Sequence, residues 1–255
     1  MSALREQGAL DTSEGTRGWR GLLVQPALVA VVLAGFFVWR ATADLTTTES
    51  RPLGWDALWP AILEHLRLTF AAGGIVVAVA VPLGILLTRG GMKRLAGPVV
   101  AVANVGQAAP AIGLVVLLAM WLGFGPTTAV VALVLYALLP VLRNTMVGLA
   151  GVDPRLVEAG RGMGMSALAV LVRVELPLAV PVILAGIRTA LVLLVGTATL
   201  ATFVDGGGLG LLITTGVNLY LPTLLVSGAL LVALLALVVD WLGRVVEHVA
   251  RPRGL

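Results

Sequence analysis

The chain has 255 residues, 59% of them hydrophobic and only 12% charged. Soluble domains carry roughly twice that share of charge, so the composition excludes one and points to a protein that crosses a membrane several times. The net charge of +4 is spread through the gaps between apolar stretches, which excludes a nucleic-acid face, and with no cysteine there is no disulfide frame, thiol nucleophile or thiolate metal site.

A membrane span takes about 20 apolar residues, and the stretches 22–39, 68–88, 99–122, 126–142, 178–203 and 221–243 meet or approach that length. The fold class this predicts is all-α and polytopic, with six transmembrane helices. The first stretch, LLVQPALVAVVLAGFFVW, follows a polar tail over 1–21. That tail is long and mixed in charge, and no small-residue cleavage site follows the stretch. It therefore reads as a retained helix rather than a signal peptide.

Asn104, Gln107 and Pro110 interrupt the third stretch, and Pro140 and Asn144 close the fourth. Polar and helix-breaking residues at membrane depth are tolerated where they face protein or water. Asn104, Gln107 and Pro110 are therefore candidates for lining a path, with helix-to-helix hydrogen bonding as the equal alternative. Arg188 falls about 16 Å into the fifth stretch at 1.5 Å per residue. Such an arginine costs about 3 kcal/mol unless it is paired or faces water. It is a further pathway candidate; pairing with another helix or a carbonyl, or snorkelling to the inner face, is the bland reading.

Threading six spans with the N-terminus inside places Arg5, Arg17, Arg20, Arg89, Lys93, Arg94, Arg143, Arg155, Arg161, Arg173, Arg244, Arg251 and Arg253 in the cytoplasm. Only Arg40, Arg51 and Arg67 are left outside. Thirteen against three sets the orientation, with both termini, and the tail 251–255, cytoplasmic. Trp39, Trp55, Trp59, Trp121 and Tyr220 then fall near the outer boundary and Trp241 near the inner one, as interfacial belts do.

The outer side also receives Asp205-Gly206-Gly207-Gly208-Leu209-Gly210. A phosphate loop needs Gly-Lys-Ser/Thr, but Leu211 follows Gly210 and the chain's one lysine is Lys93. ATP binding by that motif is excluded. The run reads as a tight re-entrant turn, and Asp205, Gly206, Gly207, Gly208 and Gly210 are candidates for an external gate or a contact with a binding protein. His65 and His248 stand alone at opposite faces, so neither a metal site nor another cofactor is expected. No catalytic cluster stands out.

Between the fourth and fifth spans lies the cytoplasmic segment 153–177, which contains VEAGRGMGMSALAVLVRVELP. Asp153-Pro154 is a helix-start pairing. A short helix is predicted from Arg155 to about Met163, then a second amphipathic segment from Ala167 to Val174 that leads to Pro177, where the next span starts. The glycines at 160, 162 and 164 weaken the first helix but let another backbone come close.

Glu158-Ala159-Gly160, three residues, Gly164, nine residues, then Val174-Glu175-Leu176-Pro177 resembles the EAA motif of ABC importer permeases. That pattern is Glu-Ala-Ala, three residues, Gly, nine residues, Ile-x-Leu-Pro. Gly160 stands for the second alanine and Val174 for isoleucine. The resemblance implies that this loop is a coupling helix docking into an ATP-binding cassette subunit, with Glu158, Ala159, Gly160, Gly164, Leu176 and Pro177 as its coupling residues.

Over roughly 62–250 the chain also resembles the osmoprotectant subfamily, through HLRLTFAAGGIVVAVAVPLGILLTR, NVGQAAPAIGLVVLLAMWLGFG, LLPVLRNTMVGLAGVD, AGIRTA and DGGGLGLLITTGVNLY. Those permeases import glycine betaine, carnitine, choline and related amines. The implied fold is a five-helix type I core, to which 22–61 adds one helix and an external linker. The implied partners are a cytoplasmic ATPase, an extracytoplasmic substrate-binding protein, a second permease copy or relative, and the lipid of a bacterial cell membrane. A permease for another cargo, such as methionine or a sulfonate, shares the coupling loop. An ion-coupled secondary transporter predicts inverted repeats and intramembrane acidic residues, and neither is evident.

Overall fold

A computed structural model describes residues 19–250, and all regular structure among them is helical. The tail through residue 18 and the tail 251–255, with Arg5, Arg17, Arg251 and Arg253, lie outside the described residues. The chain divides between Asp44 and Leu45 into two units. The first holds α1 (Trp19–Thr42). Leu23, Val24, Leu28, Val31 and Val38 on it are exposed, as on a helix whose apolar surface is meant for lipid.

The second unit begins with a short helix, α2 (Thr47–Ser50). Its entry is a capping box in which the Thr46 hydroxyl and N–H donate to Glu49 Oε2 at 2.7 and 3.1 Å. Hydrogen bonds from the Thr46 side chain, then from Thr223, hold the Glu49 carboxyl below the ordinary range.

The helix α3 (Trp55–Leu87) runs 33 residues, about 50 Å at 1.5 Å per residue and well beyond the ~30 Å of a bilayer core. It starts far ahead of the predicted residue 68. Gly54 caps it and Asp56 sits in its first turn, where a negative charge suits the positive helix end. Glu64, His65 and Arg67 stop an apolar pattern without stopping a helix.

A 3-10 segment (Gly90–Leu95) leads to α4 (Ala96–Ala108) and α5 (Ala111–Leu122). The stretch predicted as one span over 99–122 is therefore two helices bent by 98°. Pro110 lacks the N–H that would continue the ladder and pushes Ala109 into extended backbone, φ −63°, ψ 142°. The pair still crosses the bundle once. It leaves from the end of α3 and delivers the chain to Gly125, whose N–H donates to Val204 O at 2.6 Å at the opposite end.

Next come α6 (Pro126–Ala150), α7 (Pro154–Gly162), α8 (Ala167–Val170), α9 (Leu176–Thr197), α10 (Gly210–Asn218) and α11 (Pro222–Ala250). A π-turn (Leu171–Glu175) joins α8 to α9, and a 3-10 turn (Ala198–Val204) follows α9. The centre is α6, packed on α3 and on α9, while α9 and α10 both pack on α11. Buried small residues let these helices approach: Ala72, Val76 and Ala80 on α3, Ala132, Ala137 and Val141 on α6, Ala190 on α9. At the α6–α9 crossing a methyl group on Gly148 would lie 3.1 Å from Ala179 O.

Candidate functional site

The motif loop stands at the end of the bundle where α3 finishes and α9 begins. Its first helix is built locally. Asp153 Oδ1 accepts the Arg155 N–H at 2.9 Å and Pro154 occupies the first turn. The helix stops by backbone chemistry as well. Gly164 takes φ +81°, and the N–H groups of Gly164 and Met165 turn back to the carbonyls of Arg161 and Gly160 at 2.9 and 3.2 Å. Ser166 Oγ then accepts the Ala169 N–H and starts α8.

The predicted second segment is α-helical only as far as Val170. From there the π-turn carries the chain without a break into α9, and Leu176 and Pro177 open that span. Glu158 and Ala159 are exposed on α7, while Gly160 is buried against Met165, Val170 and Val174. Beside Glu158 the loop leaves Leu156, Met163 and Leu168 exposed at 47, 71 and 69%. Greasy side chains set among Glu158, Arg161 and Arg173 at the end of a bundle make a surface suited to a protein partner.

One interaction was not legible in the motif. Arg89, just past the end of α3, grips Glu175 with both terminal nitrogens; the Nη1 to Oε1 distance is 3.0 Å, and Nη2 pairs with Oε2. The Glu175 side chain is 7% exposed and that of Arg89 35%. The hydrogen bonds to Glu175 push the Arg89 guanidinium above its ordinary range. Glu175 occupies the unconstrained position of the motif, and Arg89 enters the sequence pattern only as one of the basic residues that set orientation. A cavity of about 530 Å³ lies beside the pair, lined by Leu87, Arg89, Lys93, Met146, Leu149 and Glu175.

The glycine run forms a tight turn at the opposite end, as expected. Asp205, Gly207 and Gly208 have φ of 59, 77 and 88°, and the Gly206 N–H donates to Ala201 O at 2.8 Å. Gly210 then opens α10 pressed against Thr199 O. Two residues of α3 that hydropathy leaves outside a span hold this turn and the end of α9 beside it. Glu64 Oε2 accepts the Gly208 N–H at 3.1 Å, and the buried His65 donates from Nε2 to Val195 O at 2.9 Å.

The pathway candidates separate. Asn104 and Pro110 are exposed and Gln107 is half-buried, on α4 and its bend. Arg188 instead faces α11. Its Nε lies 3.3 Å from Glu247 Oε1 and 3.8 Å from Asp240 Oδ1, and its stem lies over Gly243. Pairing removes the cost of a lone buried charge. No group of His, Cys, Asp and Glu able to hold a metal occurs among the described residues.

Among the described residues, five helices long and apolar enough to cross a membrane, a bent helix pair and an amphipathic loop at one end define the class as a multi-pass membrane protein. Residues 80–251 match the family of the binding-protein-dependent transport system inner membrane component, and the chain belongs to that family. It is 44% identical over 192 residues to the glycine betaine/carnitine/choline transport system permease protein OpuCB of Bacillus subtilis (strain 168), covering 75% of this chain and 88% of that one. The osmoprotectant import permease protein OsmW of Salmonella typhimurium is 42% identical over 197 residues, covering 75% of this chain and 91% of its own length. Among solved structures the inward-facing MetNI methionine ABC transporter superposes with a TM-score of 0.68 at 25% identity, over 76% of this chain and 96% of that chain. The fold is that of type I ABC importer permeases.

Proposed function

We propose that this permease imports quaternary-amine osmoprotectants such as glycine betaine, carnitine or choline. The observation that carries the cargo is the 42–44% identity, over three quarters of the chain, to relatives named for those solutes. An extracytoplasmic binding protein delivers the solute, and two permease subunits enclose the path. The α7 end faces the cytoplasm, as the distribution of basic residues favours. There an ATP-binding cassette subunit docks on the surface around Glu158, Ala159, Gly160 and Gly164, while Leu176 and Pro177 set the start of α9. Asn104, Gln107 and the bend at Pro110 line part of the path. The turn from Asp205 to Gly210 serves as the external gate, and Arg188 holds α9 to α11. The leading helix and its linker, 22–61, form an addition to the core 62–250.

Selectivity belongs mainly to the binding protein, where aromatic faces distinguish a trimethylammonium from a primary ammonium. The permease path itself needs only weak polar contacts, since a tight site would slow release. A complex reconstituted with its ATPase and binding protein takes up glycine betaine, carnitine or choline and loses uptake when the binding protein is omitted. Uptake of methionine or a sulfonate, with no response to any quaternary amine, would move the chain to another cargo class.

A further inference from the structure

Arg89 and Glu175 are 86 residues apart in the chain yet make a two-point contact. A buried ion pair is a poor stabiliser, because removing two charges from water offsets much of their attraction and a well-packed apolar pair often does as well. What the fork of a guanidinium on a carboxylate does supply is fixed direction as well as fixed distance. The question is what such a joint connects.

On one side is the motif loop. Val170 and Val174 receive the buried face of α7, with their Cγ2 atoms 3.4 and 3.7 Å from where a methyl on Gly160 would sit. Those valines flank and enter the π-turn, whose last residue is Glu175. Such turns are rare and concentrate at functional positions. On the other side is α3, which ends at Leu87, two residues before Arg89. The first third of α3 holds Gly208 through Glu64 and Val195 through His65. Helix α3 is thus tied to α9 and the turn that follows it at two levels, through Glu64 and His65 in its first third and through Arg89 just past its end. The 530 Å³ cavity beside the Arg89–Glu175 joint leaves it room to shift.

We propose that Arg89 and Glu175 are positioning residues that pass movement of the α7 loop to α3, and through Glu64 to the glycine turn at the far end. The proposal rests on the reading of α7 as the ATPase-docking helix. Neither residue touches solute or nucleotide. Their task is to keep the loop and α3 in register, so that ATP-driven displacement at one end reaches the other.

The test uses the full complex with its ATPase and binding protein, and measures solute moved per ATP hydrolysed together with the KM for solute. The apolar double variant Arg89→Met/Glu175→Leu inserts, retains the ATPase and keeps its KM, but transports about tenfold less per ATP, within the range by which residues along a coupling element act. Arg89→Lys keeps the charge and loses the fork; it inserts and is uncoupled in the same sense. The charge-swapped pair Arg89→Glu/Glu175→Arg recovers most of the lost yield. Either the apolar pair or Arg89→Lys transporting at the wild-type yield per ATP would overturn the proposal and leave the contact as a structural staple. Glu158→Lys separates this from the docking reading. It releases the ATPase altogether, and its failure to do so would strike the docking surface, whereas an unchanged yield in the Arg89 variants strikes only the joint.

Discussion

At the scale of single residues, the motif loop contains two glycines of different kinds. Gly160 has ordinary backbone, and a methyl there would meet Val170, Met165 and Val174 at 3.4–3.7 Å, normal packing distances. That accounts for the family pattern carrying alanine at this position. Gly164 has open space around it but φ +81°, where a side chain costs about 1 kcal/mol or more. Gly160→Ala is expected to leave folding, ATPase co-purification and uptake close to wild type. Gly164→Ala is expected to loosen the exit of α7 and lower uptake several-fold while the protein still inserts. Parallel uptake and co-purification assays check both, and a Gly164→Ala chain indistinguishable from wild type would show that the turn does not constrain docking. This part of the site was legible in the sequence because caps, turns and glycine positions are written over a few neighbouring residues. The grip of Arg89 on Glu175 was not, since nothing local says where the end of α3 lands.

Elements were legible as apolar runs, and their ends were not. The first turns of α3 are amphipathic, with Trp55, Trp59, Glu64 and Arg67 exposed and Leu58 and His65 buried, so a search for uninterrupted apolar sequence starts too late. The break at Pro110 was marked in the sequence, but its 98° bend depends on how α5 then packs on α6. That bend exposes α4, whose two sides differ chemically. Asn104 and Gln107 share a helical face, and Val102, two residues from Asn104 and 74% exposed, points to the other side. If the polar face lines water and the valine face meets lipid or protein, single cysteines distinguish them, because thiols react as thiolates and thiolates need water. A cysteine at Asn104 or Gln107 is expected to react with a charged, water-soluble maleimide at least about tenfold faster than one at Val102. Solute delivered by the binding protein is expected to slow the first two. Equal rates at all three positions would remove α4 from the path and leave its polar residues as helix-to-helix contacts.

For the whole molecule the decisive quantity is orientation, which assigns the two ends of the bundle to their partners. Hydropathy gives crossings without direction; direction comes from charge, because arginine and lysine near spans are retained on the cytoplasmic side. The basic residues around the motif loop, Arg155, Arg161 and Arg173, are all exposed there, which is where a cytoplasmic ATPase would have to meet the chain. Because the chain has no cysteine, any single cysteine is a unique reporter of side. Met163, 71% exposed on the motif loop, serves for one end, and Asp56, exposed in the first turn of α3, for the other. Gly207 is a poorer choice for that second end: with φ +77° and Glu64 Oε2 2.5 Å from an added Cβ, a cysteine would disturb the turn it was meant to report. In intact cells Asp56→Cys is expected to react with an impermeant thiol reagent, and Met163→Cys only with a permeant one or after lysis. The binding protein should shield the first and the ATPase the second, since each would cover its own end. Labelling of Met163→Cys from outside would reverse the assignment of both ends, place the motif loop where no ATPase can reach it, and end the docking reading along with everything built on it.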